Sequence, residues 1–199
     1  MTLNNLRSFT LFTLILFIFQ IGFSQKPPIK FGKIDVSDLE MTTYEPDEGA
    51  GAVILCDYGT ADLEYETTSS EFFVSITRHV RYKILNKSGL DYGNFEIPLY
   101  KGSNKESETL TKFKAATYNL KAGKIEETPF SKGDLIKDAQ SEYLDIMKAA
   151  MREIREGAVF EIHYQVRSPF IWTLQDWQFQ YTIPVKYSEY RVEYPEWFH

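Results

Sequence analysis

The single thiol of the chain, Cys56, is the first candidate for chemistry because a cysteine can act as a nucleophile. Cysteine catalysis requires a lowered thiol pKa, which a helix N-terminus or a histidine partner usually provides. Cys56 instead follows the apolar residues 53–55 in a short run that is typical of a buried strand. We therefore predict that Cys56 belongs to the core. A papain-like or transglutaminase-like thiol enzyme is the alternative.

Histidines and acidic residues are the other groups that could bind a metal or transfer a proton. His79, His163 and His199 are far apart in the sequence, and none belongs to the short-spaced pairs that zinc sites contain. His79 and His163 occupy polar positions of predicted strands, so we expect solvent around both. Carboxylates are numerous, but nothing in their spacing identifies a hydrolase pair. The sequence therefore predicts no metal site, no cofactor and no catalytic residue.

Aromatic residues in the last thirty positions are the strongest candidates for a binding surface. Exposed Trp and Tyr side chains favour interfaces, but a β core uses the same residue types. Residues 168–177 have the composition of a connecting loop, so we predict a surface platform of Trp172, Asp176 and Trp177. For seven aromatic residues the sequence allows either a position in the core or one on the surface: Trp172, Trp177, Tyr181, Tyr187, Tyr190, Tyr194 and Trp197.

Alternation of apolar and polar residues predicts the elements that carry these side chains. Residues 158–166 alternate strictly, as in a half-buried strand, and residues 178–183 follow the same pattern. Residues 72–85 also alternate, and Arg78 alone interrupts their apolar face. Residues 134–155 instead carry apolar side chains at three- and four-residue spacing, which predicts a helix. The patterns together predict a mainly β fold, an antiparallel two-sheet sandwich with one short helical segment.

The N-terminus has the pattern of a secretory signal peptide. Arg7 precedes the apolar run 9–19, and Gly22 and Ser24 supply small residues where signal peptidase cleaves. The apolar run is shorter than the ~20 residues that a membrane-spanning helix needs. We therefore expect a signal peptide at residues 1–24, export through the Sec pathway to the periplasm or cell surface, and no stable transmembrane anchor.

Composition limits the functions open to the rest of the chain. Residues 1–24 carry one of the 22 Lys and Arg residues and none of the 28 Asp and Glu residues, so the formal net charge changes from −6 to −7 without them. Nucleic-acid binding requires clustered Lys and Arg, so this balance argues against it. Pro27 and Pro28 predict an extended lead-in segment at residues 25–43. Residues 44–199 are then expected to form one β-rich domain.

Five segments occur in an order that identifies a family resemblance: YEPDEGAGAVILCDYG, RHVRYKILNKSGLDYGNFEIPLY, KAATYNLKAGKI, REGAVFEIHYQVRSPF and DWQFQYTIPVKYSEYRVEYP. Together they resemble the domain of unknown function DUF3857 over about residues 31–199. Members of that family are exported bacterial proteins, and the domain usually lies upstream of a transglutaminase-like domain with a Cys-His-Asp triad. The resemblance implies a β-rich accessory module without catalytic residues of its own.

Two departures from the family pattern add expectations. Family members generally have a strand near residues 147–154, where this chain shows helical spacing. The family pattern also continues past the position of His199, so we expect the domain to be truncated at its C-terminus.

Three hypotheses for function follow. The first is an exported, non-catalytic β-sandwich accessory or binding module, with a downstream transglutaminase-like domain, another protein or a glycan as its partner. The second is a carbohydrate-binding module in a polysaccharide-degrading system. The third is a thiol enzyme that uses Cys56.

Overall fold

A computed structural model describes residues 26–104 and 106–196, so the predicted signal peptide lies outside the described residues. The elements within these ranges are one short helix and two sheets of strands, together with 3₁₀ turns at Lys87–Gly93 and Lys132–Asp134. In chain order they are α1 (Val36–Glu40), β1 (Ala52–Glu66), β2 (Glu71–Ile84), β3 (Asn94–Tyr100), β4 (Thr109–Lys121), β5 (Lys124–Ser131), β6 (Ile136–Ala139), β7 (Leu144–Ala150), β8 (Val159–Ser168) and β9 (Ser188–Glu193).

The strands form a six-stranded sheet in the order β5-β4-β8-β2-β1-β9 and a three-stranded sheet in the order β3-β7-β6. Neighbouring strands are antiparallel except β1 and β9, which pair in parallel. The predicted mainly β fold with two sheets and one short helix is confirmed. Among residues 26–104 and 106–196, no helix is long and apolar enough to cross a membrane.

The helix predicted for residues 134–155 is wrong, because β6 and β7 occupy this stretch. β7 pairs along its whole length with β3, and this ladder decides the conformation. Met147, Ala149 and Met151 then take every second position toward the core. The three- and four-residue spacing came from including exposed residues such as Tyr143. The strand that the family resemblance implies in this region is present.

The strand predicted for residues 178–183 is also wrong. These residues form no ladder, and Val185 makes only an isolated bridge with Ile54. Tyr181 and Ile183 pack on the core while Gln180 and Thr182 remain exposed. The alternation therefore reflects one-sided burial of an irregular segment.

Both faces of the six-stranded sheet are covered. The inner face packs against the three-stranded sheet, through residues such as Val80 and Ile162 on one side and Phe95 and Ile97 on the other. The outer face is covered by the lead-in segment, whose Leu39 packs among the apolar residues of the strands. The segment expected to be extended thus contains α1 and packs on the sheet, while the boundary at residues 43 and 44 stays a prediction.

A network of buried charges joins the lead-in segment to the outer face, and its centre is Glu161 on β8. Glu161 Oε1 accepts hydrogen bonds from Gly32 N at 2.6 Å and from the Tyr118 hydroxyl at 2.9 Å. Glu161 Oε2 lies 2.8 Å from His79 Nε2 and 2.8 Å from Arg81 Nη2. Burial alone would raise the pKa of Glu161, but the bonds from His79 and Gly32 and the charge of Arg81 lower it to about 2.

The polar face of β2 is therefore buried, contrary to expectation. His79 is 4% exposed, so the predicted solvent neighbourhood of this residue is wrong. Lys83 is fully buried, and its Nζ donates to the carbonyl oxygens of Leu39 and Gly157, each at 2.7 Å. These bonds attach α1 to the sheet, since a buried ammonium needs such acceptors.

Candidate binding groove

The connection between β8 and β9, residues 169–187, is a long segment with no helix or strand. Irregular connections of this length are uncommon in compact domains and usually have a function. The segment lines three adjacent cavities, of about 390 Å³, about 210 Å³ and about 600 Å³. We refer to this β8–β9 segment and its three cavities as the binding groove.

The 390 Å³ cavity, called the Glu108 cavity below, lies where β3 ends and β4 begins. Its walls combine apolar and polar side chains in a space of the size that small-molecule or side-chain ligands occupy. The residues that line it are Tyr100, Glu108, Phe170, Thr173, Leu174, Gln175 and Asp176.

The 210 Å³ cavity, called the Arg78 cavity, is lined by Arg78, which forms an ion pair with the buried Asp57 on the inner face of the sheet. Arg78 Nε and Nη2 donate to the two carboxylate oxygens of Asp57 at 2.8 Å and 2.7 Å. The Tyr181 hydroxyl accepts from Arg78 Nη2 at 2.8 Å and donates to Asp57 Oδ2 at 3.1 Å. Burial and the carboxylate of Asp57 raise the pKa of Tyr181 to about 12 although Arg78 acts in the opposite direction, so this hydroxyl stays protonated. The charges of Arg78 and Asp57 cancel, so this ion pair adds polar groups beside the cavity without adding a net charge.

Trp177 fills a notch in the sheet beside this ion pair. Gly59 lies between Arg78 on β2 and Tyr190 on β9, and a Cβ on Gly59 would come within 2.3 Å of the Trp177 ring. The Trp177 ring stacks on Tyr190 with 4.9 Å between centroids and 4° between planes. Its Nε1 donates to Ser188 Oγ at 3.0 Å. Trp177 thereby anchors the β8–β9 segment on the sheet.

The predicted platform residues occupy different environments. Trp172 is 80% exposed, and Asp176 is exposed where the Glu108 and Arg78 cavities meet. Trp177 is half-buried against Tyr190, so it does not form an exposed pair with Trp172. The expectation that both tryptophans are exposed is wrong for Trp177, because its ring packs into the notch at Gly59. The binding role of Trp172, Asp176 and Trp177 stays a prediction.

Sequence reasoning missed three residues: Glu108 and Arg78, which line the groove, and Asp57, the partner of Arg78. Arg78 interrupts an otherwise apolar face of β2, and Asp57 follows an apolar run; these were the available signals. Their pairing depends on the register between β1 and β2, which a bulge at Ile54 and Cys56 shifts. Within the described ranges, the Tyr190 hydroxyl is a buried polar atom with no hydrogen-bond partner.

Cys56 lies on the strand β1 and is 3% exposed, which confirms its predicted place in the core. Burial and the charge of Asp57 raise the pKa of the thiol to about 12. A protonated, enclosed thiol is a poor nucleophile, because the thiolate is the reactive form.

The histidines are closer together than their sequence spacing suggests. His79 and His163 face each other across β2 and β8 with 5.3 Å between ring centroids. Burial and the neighbouring His79 lower the pKa of His163 to about 4. In the part of the chain that the structure describes, no three His, Cys, Asp or Glu side chains form a group that could hold a metal ion. His199 lies outside that part.

Comparisons with known proteins find a family and solved structures to which this chain is similar. A family described as a domain of unknown function with a solved structure, DUF3857, matches residues 73–198. No curated protein matches the chain. A crystal structure from Parabacteroides distasonis ATCC 8503, described as a "putative protease", has 16% sequence identity, covers 59% of this chain and gives a TM-score of 0.45. The chain spans 23% of the length of that protein.

Proposed function

The chain belongs to the DUF3857 family, and from that premise we propose that it is an exported, non-catalytic accessory module that binds a partner protein through the groove. In longer relatives the partner is a transglutaminase-like domain. The sequence pattern of residues 1–24 supports export. The buried, protonated Cys56 supports a role without thiol chemistry.

One observation carries the proposal: a long irregular segment, residues 169–187, lines three contiguous cavities while both of its ends are fixed in the six-stranded sheet. A binding surface on a rigid scaffold loses little conformational entropy when a partner docks. Trp172 is 80% exposed on this segment. Tryptophan is among the residue types most enriched at interface hot spots, where a few side chains contribute most of the binding free energy.

The test is a binding titration of the purified chain with the purified transglutaminase-like domain of a longer family member, followed by calorimetry. We expect saturable binding, and a loss of affinity of roughly thirtyfold in Trp172→Ala, the effect of a hot-spot side chain. Ile136→Ala is the matched control, since Ile136 is 68% exposed on β6, outside the β8–β9 segment that carries Trp172. No binding by the wild-type chain would contradict the proposal.

A carbohydrate-binding module is the second candidate, and the exposed Trp172 favours it because an aromatic face can stack on a sugar ring. Soluble polysaccharides would then quench tryptophan fluorescence in a saturable manner, and Trp172→Ala would remove the quenching. Binding of glycans without binding of the protein domain would select this alternative.

A further inference from the structure

Glu108 is a buried carboxylate that neutral groups hold in place. It is 5% exposed, and its Oε2 accepts hydrogen bonds from Tyr100 N at 2.9 Å and from Gln175 Nε2 at 2.7 Å. Its own backbone N donates to the Tyr100 carbonyl at 2.8 Å, which fixes the side chain relative to β3. None of the cations in residues 26–104 and 106–196 forms an ion pair with it. An ionised carboxylate in such a place is costly unless a positive charge compensates it.

The second oxygen of Glu108, Oε1, has unused hydrogen-bonding capacity. No donor from the described residues bonds to it, since both side-chain bonds of Glu108 use Oε2. Glu108 is one of the residues that line the cavity, so a ligand held there would lie next to this side chain.

The walls around Glu108 are aromatic and aliphatic, and a second carboxylate lies at the rim. Tyr100, Phe170 and Leu174 provide the apolar surface, and Asp176 is exposed at the edge. Phe170 packs on the backbone of Gly102, where an added Cβ would lie 3.2 Å from the ring. Among the described residues that line the cavity, none is Lys, Arg or His.

We propose that the Glu108 cavity binds the cationic end of a lysine- or arginine-like group. Aromatic rings attract organic cations through their faces, and the two carboxylates accept the N–H groups of an ammonium or guanidinium. The aliphatic stem of such a side chain matches the apolar wall. The inference rests on the proposed function in one respect, that the cation belongs to a side chain of the partner protein.

Other ligand classes fit this cavity less well. An anion would meet Glu108 and Asp176, and the described lining residues supply no positive charge. A neutral apolar group would offer Glu108 Oε1 no hydrogen-bond donor, which costs free energy. The organic cation is the class that satisfies both the carboxylates and the rings.

The test uses three small probes with identical backbones: the N-acetyl methylamides of arginine, of lysine, and of citrulline, the neutral isostere of arginine. Titrations of the isotope-labelled chain are followed by amide chemical shifts. We expect the two cations to shift the signals of residues 173–176, and the Gln175 side-chain amide among them, in a saturable way. Citrulline should bind roughly tenfold more weakly or worse, the cost of a hydrogen bond to a charged group.

Glu108→Gln should weaken the cation probes roughly tenfold, whereas Glu106→Gln should leave their affinity unchanged. Glu106 is exposed, lies two positions away and does not line this cavity. The Glu106→Gln variant therefore measures the effect of removing one negative charge outside the cavity. Asp176→Asn, at an exposed position, provides a second variant whose folding does not depend on a buried group. Equal binding of arginine and citrulline probes would overturn the inference.

A competition experiment identifies the source of the cation. Saturating arginine probe should displace the transglutaminase-like domain from the chain if a partner side chain occupies the cavity. Undiminished binding of the domain would overturn that assignment. Failure of the domain to bind at all contradicts the proposed function instead, and the probe titrations still decide the chemistry of the cavity.

Discussion

Glu161 and Glu108 are both less than a tenth exposed, yet their carboxylates have different neighbours. Glu161 accepts hydrogen bonds on both oxygens, and Arg81 compensates its charge. Glu108 lines a cavity and is held through one oxygen by a backbone amide and Gln175, and no described residue donates to its other oxygen.

The difference distinguishes a carboxylate that stabilises the fold, Glu161, from a carboxylate that we infer binds a ligand, Glu108. The lead-in segment closes the outer face over Glu161, so its network is complete within the chain. The groove leaves Glu108 with unused hydrogen-bonding capacity. A buried carboxylate that the described residues do not neutralise is the feature that points to an external cation.

The largest effect expected from this comparison is on stability. Glu161→Gln removes the carboxylate that pairs with Arg81, which is 4% exposed, and we expect a loss of about 3–5 kcal/mol in the free energy of unfolding. Urea unfolding measures it. Glu108→Gln is the matched substitution and should cost less than about 1 kcal/mol, since no ion pair is broken. Equal losses of stability in the two variants would contradict the different roles assigned to Glu161 and Glu108.

The pH dependence of stability should show the same network. Folding lowers the pKa of Glu161 from 4.5 to about 2, so its contribution is fully present above pH 4.5 and disappears as the pH falls through about 2. The size of this loss is about 3 kcal/mol. Folding also lowers the pKa of His163 from 6.5 to about 4, so a first loss begins below pH 6.5.

Urea unfolding at a series of pH values separates the two phases. His163→Gln should flatten the stability curve between pH 6.5 and 4, and Glu161→Gln should flatten it between pH 4.5 and 2. A wild-type curve that is flat over both intervals would refute the assigned causes.

A smaller effect is expected where the groove is anchored. Gly59→Ala places a Cβ 2.3 Å from a ring atom of Trp177, so the ring must move, at a cost of about 1–3 kcal/mol. The tryptophan emission should shift to longer wavelength as Trp177 becomes exposed. Gly133→Ala is the control, because the nearest atom to its added Cβ is 3.8 Å away. An unchanged emission in Gly59→Ala would mean that the notch does not hold the ring.

The smallest effect concerns the reactivity of Cys56. Because burial raises its pKa to about 12, iodoacetamide should modify the native chain at a negligible rate and the urea-unfolded chain to completion. Mass spectrometry of the intact chain measures both. Stoichiometric modification of the native chain would show that the core around β1 is open and would revive the thiol-enzyme hypothesis.

Local alternation was sufficient to predict β2 and β8, because their apolar residues contact one layer of core. It could not predict the burial of His79 and Lys83, since the residues that cover them belong to the lead-in segment far away in sequence. The same limit applies to the groove. Trp172 and Asp176 were identifiable from a loop-like composition, but Glu108 becomes a site residue only through the position of Gln175 across the cavity.

The parallel pairing of β9 with β1 has a consequence for folding. The β8–β9 segment is fixed at both ends only after the last described strand has joined the first, a contact of long sequence separation that forms slowly. β9 is also an edge strand and is only partly buried, so it belongs to the part of the sheet that opens most readily. We therefore expect the groove to be completed late in folding and to open before the rest of the sheet, and hydrogen exchange at the β9 amides would measure this opening.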